Sequence, residues 1–510
     1  MRVWHNRTDC RKLRDRIAFG EQKHMVTTYL DELPFGDEDF IRAELNKNGR
    51  ERRKLPEGCR EQVLLGDIMR IAWPSMVELF LASLVGMADM IMVGAMQNGD
   101  DAISAVSLAN QPKFMFVTLI MALNVGVTAA VARARGAGRH ELAGDILRQG
   151  LLFSLLISLM ASIMGLALAR PLILFMANDG LEKNVIDMSC DYLIIQMAGF
   201  VTMGISSTYT AALRGTGNTK IPMIYNIMAN LINIFFNYLL IYGHGGFPAM
   251  GVRGASIATV IGQLSAMVFA IIANGSGKYY FAVRLTDFLR NFHADRVIIR
   301  QIADVGLPNL GEQLILRVGI ILFSRQVSAL GQPYYATHNI CMNIQSMSFM
   351  LGQAMATSST SLVGQSLGKK RPDMAEHYSR RCVRIGTGIS VLLGLLFIFC
   401  SDALVGLYSS TPEILQSACP VMLILGALQP VQTIQFILSG SLRGAGDTKT
   451  TAVITMIGIL ALRPALAGFM IYTLDMGLLG AWTAIAADQL VRTVLVAIVY
   501  HRGRWKAIQY

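Results

Sequence analysis

Apolar segments long enough to cross a ~30 Å hydrocarbon core recur from Ile68 to near the end of the chain, and short polar loops separate them. The pattern predicts twelve membrane-spanning helices, which we number as spans 1 to 12. Their predicted ranges are 68–95, 103–132, 146–169, 185–213, 221–243, 251–274, 297–329, 335–364, 383–408, 414–441, 450–474 and 477–500. The predicted fold class is therefore an all-α polytopic membrane protein.

Residues 1–66 contain no such segment. Residues 1–70 hold 15 Lys and Arg and 13 Asp and Glu. No continuous apolar stretch follows the early arginines, so we expect no signal peptide. The sequence predicts a charged extension in the cytosol at 1–66.

The composition and the position of the charges exclude several classes of protein. The 510-residue chain is 53% hydrophobic and 15% charged, whereas soluble proteins carry about 25% charged residues. Its net charge of +11 comes largely from alternate loops, because 131–150, 213–220, 274–301, 367–385, 442–449 and 501–510 hold 22 Lys and Arg against three in the opposite loops. Such a bias marks the cytosolic side and places both termini there. It is not the pattern of a nucleic-acid-binding surface.

Three sequence landmarks occur twice. Pro74 and Glu78 match Pro308 and Glu312 at an offset of 234, and the basic loop after span 2 returns at an offset of about 232. Leu-Arg-Gly-Thr-Gly-Asn-Thr-Lys at 213–220 matches Leu-Arg-Gly-Ala-Gly-Asp-Thr-Lys at 442–449, an offset of 229. The repeat predicts an N-lobe at 67–273, a linker at 274–296, a C-lobe at 297–500 and a tail at 501–510. Parallel repeats of six helices imply a pseudo-twofold axis along the membrane normal, as in alternating-access transporters.

Ionisable groups within the spans are candidates for function, because charge at bilayer depth is costly. Glu78 and Asp89 on span 1 are eleven residues apart, which places them within about 20° of one helix face. On span 5, four asparagines follow a spacing of i, i+4, i+7 and i+11: Asn226, Asn230, Asn233 and Asn237. This stripe predicts a polar seam facing Asp89 or Glu78, with interhelical hydrogen bonding as the structural alternative.

The second lobe offers weaker candidates. Glu312 repeats the spacing of Glu78 from a proline, and the predicted faces of spans 8 and 10 carry polar residues such as Gln432. Pro74 and Pro308 lie within spans and are expected to kink them. Seven cysteines are scattered singly, so the sequence predicts neither a metal site nor a disulfide framework.

These residues resemble the MATE (multidrug and toxic compound extrusion) family over about residues 66–500. The resemblance is carried by Pro74, by Met-Ala-Asp-Met-Ile-Met-Val-Gly at 87–94, by Ala-Val-Ser-Leu-Ala-Asn-Gln at 105–111 and by the two Leu-Arg-Gly loops. It implies twelve helices in two lobes and export of organic cations and other amphipathic compounds in exchange for Na⁺ or H⁺.

The resemblance also implies roles for residues. Asp89 matches the first-helix acid used for cation or proton coupling, Asn233 and Asn237 match the fifth-helix pair, and Thr259 matches a sixth-helix threonine. Some members carry Asp where this chain has Asn237, which makes a sodium cage near Asp89 less complete. In the C-lobe, Glu312 lies about one turn nearer the proline than the family's acid, and Gln432 replaces a tenth-helix Asp. We therefore expect coupling in the N-lobe and assign Glu78, Asn230, Glu312 and Gln432 to the cavity or substrate.

The sequence thus predicts an antiporter without a cofactor, acting as a monomer in the plasma membrane on small amphipathic or cationic substrates. A flippase for lipid-linked oligosaccharide is the alternative within transport, and it would need a cavity rich in Arg and Lys. A membrane-embedded enzyme is the alternative from another class; it would need a clustered catalytic set, and no His-x-x-Glu-His pattern is present.

Overall fold

The computed structural model describes residues 61–96, 99–177, 182–275, 280, 295–408 and 411–508, and these residues form helices joined by short loops, without a β-strand. Residues 1–60, and nearly all of the predicted linker between Gly275 and Asp295, lie outside the described residues.

The helices follow the predicted spans in order. Spans 1 to 6 are Glu61–Gly94, Gly99–Gly136, His140–Met176, the pair Lys183–Ala198 and Phe200–Gly215, Lys220–Tyr242 and Val252–Gly275. Spans 7 to 10 are Arg296–Ser328, Gln332–Gly368, Pro372–Phe399 with the short Ser401–Gly406, and Pro412–Gly444. Span 11 runs over Thr448–Thr473, span 12 is Gly477–Arg502, and a 3₁₀ turn Arg504–Ala507 follows.

The structure lengthens several predicted spans. Span 1 begins at Glu61, inside the predicted extension, and span 9 begins at Pro372 and breaks at Cys400. Among the described residues, ten helices are long and apolar enough to cross a membrane, and the bent span 4 makes eleven. Span 8 is the twelfth. It is less hydrophobic than the other spans because one of its faces carries the polar side chains noted in the sequence.

The prolines predicted as kinks do not divide their helices, since spans 1 and 7 continue through Pro74 and Pro308. The sharp bend is in span 4, where the two halves meet at 51°. A Cβ on Gly199 at this break would lie 2.5 Å from Val260 Cγ1 of span 6, so only glycine allows the bend to pack so closely.

Span 11 has a different irregularity. Its α-helical turns Thr448–Thr455 and Arg463–Gly468 alternate with the π-helical segments Met456–Leu462 and Phe469–Thr473. A Cβ on Gly458 would lie 2.3 Å from Asp488 Oδ1 of span 12. Span 11 therefore lies directly against a buried acid.

The loops after spans 2, 4, 8 and 10 meet at one end of the bundle, which we call the basic end. Arg133 donates to the carbonyl of Ala445 there, and Gln365 Nε2 donates to the carbonyl of Gly215 at 2.9 Å. A Cβ on Gly136 would lie 2.0 Å from the backbone carbonyl oxygen of Gln365, and a Cβ on Gly368 would lie 2.2 Å from the backbone carbonyl oxygen of Arg133. These reciprocal contacts place the pseudo-twofold axis between spans 2 and 8.

At the basic end, the first helix of each lobe packs its end against the other lobe. Leu64 and Ile68 of span 1 pack against Met355 and Leu362 of span 8. Ile298 and Ile302 of span 7 correspondingly pack against Leu123, Val127 and Val131 of span 2. Two further hydrophobic clusters, nearer the opposite end, each draw their buried residues from one lobe. The basic end is therefore closed by packing between the lobes.

Candidate functional site

Asp89 lies near the end of span 1 that is remote from the basic end, and its side chain is half-buried. Asn237 Nδ2 of span 5 donates to Asp89 Oδ1 at 2.5 Å. Asn233 lies one turn away on the same face, and the orientation that satisfies both ends of its amide lets it donate to Asp89 Oδ1 at 3.1 Å. The predicted stripe therefore faces Asp89, as its periodicity indicated.

Thr259 contributes through its backbone. Its N–H donates to the Asn233 amide oxygen at 3.2 Å in the same orientation, while its hydroxyl donates to the carbonyl of Ala255 at 2.9 Å. The structure thus places Thr259 as a residue that orients Asn233, and its hydroxyl does not contact Asp89.

One polar atom at this site has no partner in the part of the chain that the structure describes. Asn237 is fully buried, and its Oδ1 accepts no hydrogen bond. A buried acceptor without a donor is costly. Together with the Asp89 carboxylate, it supplies oxygen atoms of the kind that a small cation or a proton donor would satisfy.

Sequence reasoning missed a cation beside this site. Lys113 of span 2 interacts electrostatically with Asp89. Its Nζ lies 6.0 Å from the ring centroid of Tyr192, a buried residue of span 4. The position of Lys113 within span 2 was visible in the sequence, but its direction towards Asp89 depends on how spans 1 and 2 pack.

Glu78 lies in a different environment. It is 7% exposed and pairs with Arg214 Nη2 of span 4 at 2.8 Å. Asn226 Nδ2 of span 5 also donates to Glu78 Oε1 at 2.6 Å. The two acids of span 1 therefore both face span 5, as predicted, but Glu78 is already neutralised by an arginine.

Glu312 repeats this arrangement in the C-lobe. Arg443 Nη2 of span 10 lies 2.7 Å from Glu312 Oε1, and Thr455 of span 11 donates to the same oxygen at 3.2 Å. Arg214 and Arg443, like Asn226 and Thr455, are separated by the 229 residues that relate the two Leu-Arg-Gly loops. We call these two sets the paired-acid sites. The sequence contained their signal, since an acid and an arginine both recur in the repeat.

The C-lobe also holds a buried charge cluster that has no counterpart among the described residues of the N-lobe. Asp488 of span 12 is fully buried and binds Arg463 Nη2 at 2.7 Å and Arg492 Nε at 3.0 Å. Arg492 also donates to Gln489 Oε1 at 2.5 Å. The sequence analysis did not identify Asp488, although an acid four residues before an arginine is a recognisable helical pair.

The remaining candidates are dispersed. Gln345 Nε2 of span 8 donates to Gln432 Oε1 of span 10 at 3.3 Å, and Asn230 is half-buried on the face of span 5 that carries the stripe. Arg317 lies 5.4 Å from the ring centroid of Phe114, across the boundary between the lobes. No group of three or more His, Cys, Asp or Glu among the described residues is arranged to hold a metal ion.

A family model for MatE matches residues 74–239 and 308–467 of this chain, one match in each lobe. The chain belongs to the MatE family. It is accordingly a membrane transporter and not an enzyme. The two matches begin at Pro74 and Pro308, so they reproduce the offset of 234 found in the repeat.

Individual relatives extend the match over most of the chain. A probable multidrug resistance protein NorM of Thermotoga maritima is 28% identical over 472 residues, which cover 91% of this chain and 97% of that protein. The multidrug resistance protein PmpM of Pseudomonas aeruginosa is 26% identical, with coverage of 79% and 83%.

Solved MATE structures share the fold. One described as MATE in the bent conformation has a TM-score of 0.79 at 22% identity, covering 89% of this chain and 98% of that one. An outward-facing multidrug resistance MATE transporter of the MOP superfamily has the same TM-score at 23% identity, with coverage of 89% and 99%. The twelve-helix, two-lobe architecture predicted from the sequence is confirmed.

Proposed function

We propose that this MatE-family transporter is an antiporter that exports amphipathic and cationic compounds in exchange for an external cation bound at Asp89. The observation that carries the proposal is the Asp89 site: a half-buried acid held by two amides, remote from the closed basic end. The names of the NorM and PmpM relatives support multidrug substrates.

The proposed cycle uses the two lobes as the moving parts. With the basic end closed, a Na⁺ ion or a proton reaches Asp89 from outside and neutralises its carboxylate. Asn237 Oδ1, which lacks a donor among the described residues, would turn towards the bound cation. An ion shifts the equilibrium between conformations only by its difference in affinity for them, so the proposal requires spans 1 and 5 to shift against each other within the N-lobe when the ion binds.

Orientation follows from the charge distribution. The loops at the basic end carry the Lys and Arg excess, so we place this end and both termini in the cytosol and the protein in the plasma membrane. The transporter needs no cofactor in this scheme, and a single chain contains both lobes.

A lipid-linked oligosaccharide flippase would need unpaired cations in the cavity for a diphosphate. Two of the arginines within the spans, Arg463 and Arg492, are instead paired with Asp488. Arg317 faces the Phe114 ring. The observed pairing favours drug export over this alternative.

The test is efflux from ethidium-loaded vesicles under separately imposed Na⁺ and H⁺ gradients. We expect one of the two gradients to drive efflux and Asp89→Asn to reduce it to background, because the amide cannot exchange a charge. Asp187→Asn is the matched control, since Asp187 is an acid with a 49% exposed side chain outside the site. Gradient-driven efflux by Asp89→Asn at the wild-type rate would refute the site, and efflux indifferent to both gradients would refute antiport.

A further inference from the structure

A cleft of about 580 Å³ opens at the basic end between the lobes. Its N-lobe wall includes Arg70, Arg135 and Lys220, and its C-lobe wall includes Lys369. Asp67 is the one acid among the described residues that line it, and Asp67 Oδ2 already accepts from the Tyr378 hydroxyl at 2.7 Å. The cleft therefore carries a marked excess of positive charge that its own residues do not balance.

The matching turn of the C-lobe provides an internal reference. Thr219 donates to the carbonyl of Arg70 at 3.3 Å, and its repeat partner Thr448 donates to the carbonyl of Asp304 at 3.4 Å. The two turns therefore dock on spans 1 and 7 in the same way. Arg70 and Asp304 are equivalent positions in this geometry, yet their charges are opposite.

A second pair of equivalent positions also carries more negative charge in the C-lobe than in the N-lobe. Asn218 Oδ1 accepts from the backbone N–H of Ile221 at 3.4 Å, and Asp447 Oδ1 accepts from the N–H of Thr450 at 3.3 Å. Both side chains occupy the same place at the start of a helix, where the helix dipole favours negative charge. In the C-lobe that place holds a carboxylate. In the N-lobe, beside the cleft, it holds a neutral amide.

We propose that the cleft binds a phosphate-bearing anion, which supplies the negative charge that Asp304 and Asp447 supply in the other lobe. Guanidinium and ammonium groups on both walls recognise phosphate by charge-assisted hydrogen bonds. Arg135 is held in place, because it donates to the Thr216 carbonyl and stacks on Tyr280 at 5.2 Å. An anion bound here bridges the lobes and stabilises the conformation that is closed at the basic end.

The phosphate could belong to a soluble anion or to a lipid headgroup, and two probes distinguish them. Purified full-length protein is titrated with pyrophosphate in detergent, and its thermal midpoint is compared in phosphatidylcholine nanodiscs with and without phosphatidylglycerol. Binding of pyrophosphate identifies a soluble source. Stabilisation by phosphatidylglycerol without a response to pyrophosphate identifies a headgroup.

The variants use the repeat as their control. Arg70→Gln combined with Lys369→Gln removes one cation from each wall. This double variant should bind the phosphate probe at least about tenfold more weakly, since charged hydrogen bonds each contribute appreciably. Lys449→Gln, at the exposed counterpart of Lys220 outside the cleft, should change it less than about twofold. Asn218→Asp installs the carboxylate of the C-lobe and should weaken binding by about tenfold without loss of thermal stability.

No response to either probe would overturn the proposal, as would a response that the three cleft substitutions leave unchanged. The conservative Asn218→Asp variant keeps the test decisive if the double variant does not fold. Binding is measured without transport, so its failure is separate from a failure of antiport. One consequence does rest on the proposed function: an anion that holds the basic end closed should slow efflux.

Discussion

The two lobes share a buried acid–arginine pair and differ from each other further along the same helices. Both lobes contain a paired-acid site, Glu78 with Arg214 and Glu312 with Arg443. At the position of Asp89, however, the C-lobe has Phe323, which faces Arg463 at 5.9 Å. The repeat therefore preserves a scaffold and replaces the candidate ion site.

Each lobe also has an acid within its spans that the other lobe lacks, Asp89 in the N-lobe and Asp488 in the C-lobe. The surroundings of these two acids explain why coupling is expected in the N-lobe. Asp488 of the C-lobe is fully buried and already neutralised by two guanidinium groups. Asp89 is half-buried and is held by neutral amides. An acid that lacks a guanidinium partner can exchange one cation for another, whereas a doubly paired buried acid stabilises the packing of spans 11 and 12.

The strongest test of this contrast is Asp488→Asn. Removal of the acid leaves Arg463 and Arg492 buried beside each other, so we expect a loss of about 3–5 kcal/mol in the free energy of unfolding. Thermal unfolding in detergent measures it. A fully stable Asp488→Asn protein that loses ion-dependent efflux would assign the exchange of cations to the C-lobe and reverse the comparison.

The shared scaffold can be tested by removing its acids one at a time. Glu78→Gln and Glu312→Gln should each destabilise the protein by about 2–3 kcal/mol, because each leaves an arginine without its acid. We expect the larger loss for Glu312, whose arginine is 17% exposed against 25% for Arg214. A stable variant that changes substrate selectivity would instead support the cavity role predicted for both acids from the sequence.

The smallest expected effect concerns Lys113. Its charge attracts the Asp89 carboxylate and competes with an external cation, so Lys113→Met should strengthen the apparent ion affinity by roughly fivefold, or about 1 kcal/mol. The ion concentration for half-maximal efflux measures this change, and Lys113→Arg is the charge-preserving control. Unchanged or weaker ion affinity in Lys113→Met would mean that Lys113 does not compete at Asp89.

Much of the fold could be predicted because it depends on local patterns. Apolar length located the spans, and helical spacing placed Asn237 and Asn226 on the face that contacts Asp89 and Glu78. Helical spacing could not place the partner of Glu78, since Arg214 is a single residue whose direction depends on how spans 1 and 4 pack; only the recurrence of an acid and an arginine in the repeat pointed to the pair. The π-helical turns of span 11 are also invisible to periodicity, because they depend on how Gly458 packs against Asp488.

The hydrogen bonds of Arg133 have a consequence for the energetics of the proposed cycle. Arg133 of span 2 donates to carbonyls of Ala445 in the C-lobe and Ile508 in the C-terminal segment, whereas nearby Arg135 donates to Thr216 within its own lobe. Opening the basic end must break the first set and can leave the second intact. In the cycle proposed above, the segment at Ile508 is therefore part of the gate at the basic end, and its hydrogen bond with Arg133 is expected to slow the opening through which a substrate enters.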